Sequence, residues 1–191
     1  MKNLLKILIL ILILVSCNQK TEKKNIPVES NFNLKTDYVD FKHRMTELDT
    51  LNIFIEHSVC TSSAKERIEI TKKNDSLKVK SEYYSTSYQK KPNWELIYNK
   101  TISENDTIWD FENFLVRNEN RMSSEDRKSG RIQIRNRKDT IHLFTKGLID
   151  LFDFIEDYGK TADKLCPQYL FKVNQVVKIE SDIKETELKT K

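Results

Sequence analysis

The residues able to do chemistry in this chain are few and far apart. Histidine occurs at positions 43, 57 and 142, and cysteine at 17, 60 and 166. His57 and Cys60, joined by Cys166, would begin a metal site. However, His57 and Cys60 close a stretch in which Leu51, Ile53 and Ile55 alternate, and on a strand residues three apart point to opposite faces. Zinc ligands also come in tighter pairs. No metal is therefore expected, and no cofactor: the chain carries no Gly-x-Ser-x-Gly elbow, phosphate loop or His-Glu-x-x-His. Asp150, Asp153, Glu156 and Asp157 form a carboxylate group that could hold calcium or exchange protons. They fall opposite Leu148, Leu151, Ile155 and Tyr158 at helical spacing, where an amphipathic helix carries its charges in any case. A solvated face is the expectation there.

A binding patch is better supported. In Arg131-Ile132-Gln133-Ile134 and Thr140-Ile141-His142-Leu143-Phe144 the apolar residues alternate with period two. If Ile132, Ile134, Ile141 and Leu143 turn inward, Arg131, Gln133, Arg135, Thr140, His142 and Phe144 turn outward. Pairing Ile134 with Ile141 sets Gln133 across from His142 and Arg131 across from Phe144. Guanidinium groups and aromatic rings dominate binding hot spots, so Arg131, Gln133, Arg135, His142 and Phe144 are the candidate binding residues. The competing expectation is that Phe144 packs beneath a neighbouring element.

The elements that position this patch are read from the same periodicity. Sixty-four residues upstream, Arg67-Ile68-Glu69-Ile70 and Asp75-Ser76-Leu77-Lys78-Val79 repeat the pattern. Each unit reads as a β-hairpin with one buried face. In the first, Ile70 is expected against Leu77 and Ile68 against Val79, across a four-residue loop Lys72 to Asp75. Its outward residues are then Arg67, Glu69, Lys78 and Lys80, an ordinary solvated set. Duplication and chance recurrence explain the repeat equally well. Further strands are expected over Thr50 to Val59, Lys80 to Gln89 and Trp94 to Ile102. Ser103 and Asp106 open one helix carrying Ile108, Phe111, Leu115 and Met122. Leu148, Leu151, Phe152, Ile155 and Tyr158 mark a second, stopped by Gly159. Strands and helices in this order, without parallel crossovers, predict an α+β fold: a mostly antiparallel sheet with two amphipathic helices packed on it.

The chain opens with Lys2 and Lys6, an unbroken aliphatic run from Ile7 to Val15, and Leu14-Val15-Ser16-Cys17. This order resembles the signal peptide and lipobox of bacterial lipoproteins. The aliphatic run falls short of the roughly 20 apolar residues a membrane span needs. The resemblance implies a signal peptide over 1–16, cleavage before Cys17, and a lipid (palmitate among its acyl chains) on the Cys17 thiol. It also implies residence in the cell envelope. Asn18 suits sorting to the outer membrane, and the basic residues after Cys17 favour the periplasmic face over outward display. Residues 17–40 are expected as a polar tether, 41–178 as one α+β domain, and 179–191 as a charged tail. An oxidising envelope further implies a Cys60–Cys166 disulfide, worth about 4–5 kcal/mol by loop closure. The alternative is two buried thiols that never meet.

Cleavage would remove two of the 33 lysines and arginines and none of the 29 acidic residues. The nearly neutral remainder lacks the basic excess of a nucleic-acid binder. These features together predict a lipid-anchored envelope protein without enzymatic activity. It would bind a partner protein or an envelope ligand and touch the membrane through Cys17. Alternatives are an immunity lipoprotein that neutralises a toxin, an envelope hydrolase whose nucleophile and base show no motif, and a structural spacer.

Overall fold

Alternation of apolar residues organises the sheet. Leu51, Ile53 and Ile55 are 1 % exposed or less and set the inner face of β1 (Thr50–Glu56). The same rule puts Ile68 and Ile70 inward on β2 (Ser63–Lys73), and Leu77 and Val79 inward on β3 (Ser76–Thr86). It holds again in the second hairpin for Ile132 and Ile134 and for Ile141 and Leu143. The computed structural model describes residues 29–58, 63–86, 94–123, 131–170 and 172–173. Their strands, with β4 (Glu95–Ser103), β5 (Met122–Ser123), β6 (Ile132–Asn136) and β7 (Asp139–Leu143), make one sheet ordered β4-β3-β2-β1-β6-β7-β5. Every paired neighbour is antiparallel.

Among the described residues, helices α1 (Leu34–Asp37), α2 (Phe41–Arg44), α3 (Phe111–Arg117) and α4 (Gly147–Leu165) pack on this framework. The fold is α+β. Phe41, Trp109, Phe111, Phe114, Phe154 and Tyr158 form a run of ring contacts with centroids 5.4–6.3 Å apart. Burial of each such side chain is worth about 1.5–3 kcal/mol. Phe32 and Leu34 join this core at 7 % and 1 % exposed, so the packed unit begins before residue 41.

The second hairpin has the expected register, with Ile134 opposite Ile141 and Ile132 opposite Leu143. The first does not. Ile70 faces Val79, Ile68 faces Ser81, and Lys73 pairs with Ser76 across the two residues Asn74 and Asp75. Asn74 takes a φ of 51°, which asparagine tolerates and which a tight two-residue hairpin loop requires. The slip is two residues, so inward and outward faces are preserved. The second loop is Arg137-Lys138, with Arg137 at φ 52°. The loops therefore lie 63 residues apart, against 64 for the sequence repeat, and equivalent isoleucines stand at different distances from their turns.

Two helices differ from expectation. α3 starts at Phe111, because Asp106 instead caps a turn by accepting from Trp109 N at 2.8 Å. Ile108 is thereby left exposed, and Met122 belongs to β5. Gly159 does not end α4 but lies inside it. A Cβ there would meet Leu170 Cδ2 at 3.2 Å, so the glycine admits the chain that folds back past the helix. The buried stripe of α4 is Leu151, Phe154, Tyr158, Ala162 and Leu165, with Phe152 and Leu148 outside it.

Candidate functional site

The registers place one outward residue of every strand in a single row across the sheet. The row reads Leu96, Glu82, Arg67, Phe54, Gln133, His142 and Ser123, from β4 to β5. Phe54 stands at its centre, 41 % exposed, with the Arg135 guanidinium 5.8 Å from its ring centroid. Arg67 lies 4.4 Å from the Trp94 ring centroid and donates to Glu82 at 2.6 Å. Tyr84 meets Trp94 edge-on at 4.5 Å. Guanidinium groups over aromatic faces are held by ring quadrupoles while staying available to a partner.

The face is also basic. Lys65, Arg67, Lys78, Lys80 and Arg135 point outward on these strands against Glu56, Glu69 and Glu82. Three of the cations are paired: Lys65 with Glu56 at 3.5 Å, and Arg67 and Lys80 with Glu82 at 2.6 and 2.8 Å. Among the described residues, Lys78 and Arg135 form no ion pair. The sheet thus carries a positive surface on a chain that is close to neutral once Lys2 and Lys6 are set aside.

The sequence-derived patch is brought together only in part. Gln133 and His142 are cross-strand partners as expected. Arg135 is exposed and reaches Phe54. Arg131 bends to the sheet end, where its guanidinium donates to Ser58 O at 3.1 Å. His142 is corrected: it is buried, at 4 % exposed. β5 pairs outside β7, so His142 lies between Gln133 and Ser123, with the Phe144 ring stacked on it at 5.9 Å. Phe144 lines a cleft of about 440 Å³ with Arg121, Met122, Lys146 and Asp150. Phe54 was not foreseen, although Leu51, Ile53 and Ile55 already fixed it outward.

A second polar constellation lies in the core, and the sequence reading missed it. Glu66 is in phase with Ile68 and Ile70 and therefore points inward, 0 % exposed. Its Oε2 accepts from Tyr169 OH at 2.6 Å and Tyr158 OH at 2.9 Å, and lies 3.2 Å from His57 Nε2. Its Oε1 accepts from Ser81 Oγ. Burial, followed by the Glu66 charge, pushes the Tyr158 and Tyr169 hydroxyls well above the ordinary tyrosine range, so both stay protonated donors. Such a carboxylate is fully solvated by protein. His57 and Glu66 are an acid–base pair by composition, with the Glu66 side chain fully buried and that of His57 10 % exposed.

A smaller cleft of about 340 Å³ is lined by Lys42, His43, Glu104, Asn105, Asp106 and Glu112, among others. Its cations are paired within the protein. Lys42 Nζ lies 3.2 Å from Glu112 and donates to Asp106 O at 2.6 Å, and His43 Nδ1 lies 2.6 Å from Asp40. Burial raises the Glu112 carboxyl despite Lys42, while hydrogen bonds donated to Asp40 and Asn105 oxygens raise the His43 imidazole. Three of the four α4 carboxylates named above are partnered too: Asp150 with Arg121, Asp157 with Arg117 and Glu156 with Lys160. Among the described residues no group of three His, Cys, Asp or Glu side chains is arranged to hold a metal, and no helix is long and apolar enough to cross a membrane. Cys166 is buried, and its sulfur accepts from Lys172 Nζ at 3.2 Å. Cys17 and Cys60 lie outside the described residues, as does the expected bridge. No protein-family model matches the chain, and no curated protein or solved structure matches it.

Proposed function

We propose that this is a lipid-anchored envelope protein that binds, without catalysis, an acidic partner protein on the outer face of its sheet. The supporting observation is the row centred on Phe54, flanked by Arg67 and Arg135 on a face with more cations than carboxylates. A half-exposed aromatic ring among guanidinium groups has the composition of an interface centre. The lipobox at Cys17 supplies the address, with the outer membrane's periplasmic side as the station. Polar residues follow Cys17 and leave the domain room to meet its partner.

The test uses protein expressed in its native envelope. Cys17→Ser should abolish acylation and release the protein from the membrane fraction. Arg67→Glu with Arg135→Glu should abolish capture of the acidic partner while membrane attachment persists. Moderate salt should weaken the native complex, since exposed charges are screened within about 10 Å at 0.1 M. Capture that survives both charge reversals contradicts the binding face. Acylation that survives Cys17→Ser contradicts the anchor.

A further inference from the structure

We propose that the exposed start of α4 is a bilayer-contact surface. Leu148, Ile149 and Phe152 rest on the membrane to which Cys17 is attached and turn the outer sheet face away from it. This rests on the reading of Cys17 as a lipid anchor.

The three side chains are 54 %, 81 % and 60 % exposed. Residues 148 and 152, and 149 and 152, are neighbours on a helix surface, so the three form one patch. Lone exposed apolar residues are ordinary, whereas a contiguous patch marks a contact. Folding does not call for this one, because Leu151, Phe154 and Tyr158 already fill the inner stripe.

Two observations select a lipid surface as the occupant. The first is charge. Beside the patch stand Lys146, Asp153 and Asp150, the last paired with Arg121 and also accepting from Lys146 N. Glu156 is paired with Lys160 one turn further on. The apolar patch is ringed by charges that nearly cancel, which suits zwitterionic headgroups.

The second is the path of the chain. Eleven residues lie between Cys17 and Glu29, twelve steps along the chain, which caps their reach at roughly 40 Å. The described chain begins beside Asp49, which accepts from Ser30 Oγ, and comes towards α4 further on, where Tyr38 OH donates to Glu119 at 3.0 Å, two residues before the Arg121 that pairs with Asp150. The tether holds the patch at a high local concentration beside the bilayer, so weak affinity suffices. Since α4 covers the inner sheet face, its outer stripe on the membrane leaves Phe54 and Arg135 directed outward to a partner.

The test reconstitutes the full mature protein, purified from membranes, into phosphatidylcholine–phosphatidylethanolamine vesicles containing brominated lipid. Phe152→Trp and Phe54→Trp are compared over the Trp94 and Trp109 background, with acyl chains verified by intact mass. The emission added by Phe152→Trp should fall by about half or more, and that of Phe54→Trp should not change. Adding anionic lipid should not deepen the quenching. Acylated protein with Phe152→Trp unquenched overturns the contact while leaving the anchor standing. Emission that is blue-shifted, unquenched and dependent on protein density overturns it in favour of a second copy. Absence of acyl mass overturns the anchor, and this orientation with it.

Discussion

Glu66 and the start of α4 are two places where the hydrophobic pattern is inverted, and they are treated in opposite ways. At Glu66 a carboxylate occupies a position where alternation calls for an aliphatic residue, and four side chains from β1's end, β3, α4 and the turn after it converge to solvate it. At Leu148, Ile149 and Phe152, large apolar groups occupy helix positions that face water, more than half exposed. An inversion compensated within the fold serves the fold: it fixes where α4 and Tyr169 sit on the sheet. An inversion left open is available to something outside it. By the same criterion Phe54 belongs to the second kind, since it stands in the outward register with nearly half its surface free.

The largest effect should come from removing the compensated group. Glu66→Ala orphans Tyr158, Tyr169 and Ser81 in the core and should cost about 3–5 kcal/mol in urea unfolding. Replacing the network as a whole, with Glu66→Leu, Tyr158→Phe and Tyr169→Phe, should recover most of that loss. If Glu66→Ala costs under about 1 kcal/mol, the network is not what seats the helix.

Next comes the Cys60–Cys166 bridge, proposed for protein oxidised in the envelope. His57, three residues before Cys60, touches Glu66, and the Tyr98 hydroxyl is raised by burial, by Glu66 and by the nearby Cys166. Reduction should lower stability by about 2–4 kcal/mol. Peptide mapping that finds two alkylatable thiols in envelope-derived protein refutes the bridge.

A smaller, pH-dependent effect is expected at Asp49, a second buried carboxylate. Burial alone would raise it, but hydrogen bonds from Ser30, Thr46 and Asn136 hold it below the usual carboxylate range. Its contribution is therefore complete above the unfolded-state value and is lost as pH falls through the depressed folded value. Asp49→Asn should cost about 2 kcal/mol at neutral pH and flatten the acid limb of the stability profile. An acid limb as steep as that of the native protein would assign the dependence elsewhere.

The smallest effect on stability should be at the open inversion. Ile149→Ser and Phe152→Ser should change it by no more than about 0.5 kcal/mol. A larger loss would mean that the patch serves the fold after all.

Much of the sheet could be read from period two alone, including the partners of Ile132 and Ile134 and the inward faces of both hairpins. Register in the first hairpin could not, because a slip of two residues leaves every face unchanged and only the Asn74-Asp75 loop distinguishes the alternatives. His142 was misjudged because β5 is two residues long and leaves no periodic signal, yet it encloses β7. Glu66 was visible in principle as a charge in phase with Ile68 and Ile70. Its four donors come from residues up to 103 positions away, which no local pattern reveals. Gly159 misled because glycine ends helices when the backbone needs a positive φ, and here it serves a close approach by Leu170 instead.

The central claim, that the molecule turns one open surface to the membrane and the other to a partner, can be tested in a single experiment. A photo-crosslinking amino acid is placed at Phe54 in one strain and at Ile149 in another, and irradiated in intact cells. The account predicts a protein adduct from position 54 and a lipid adduct from position 149. Lipid adducts at 54 with protein adducts at 149, or the same adduct at both, would contradict it.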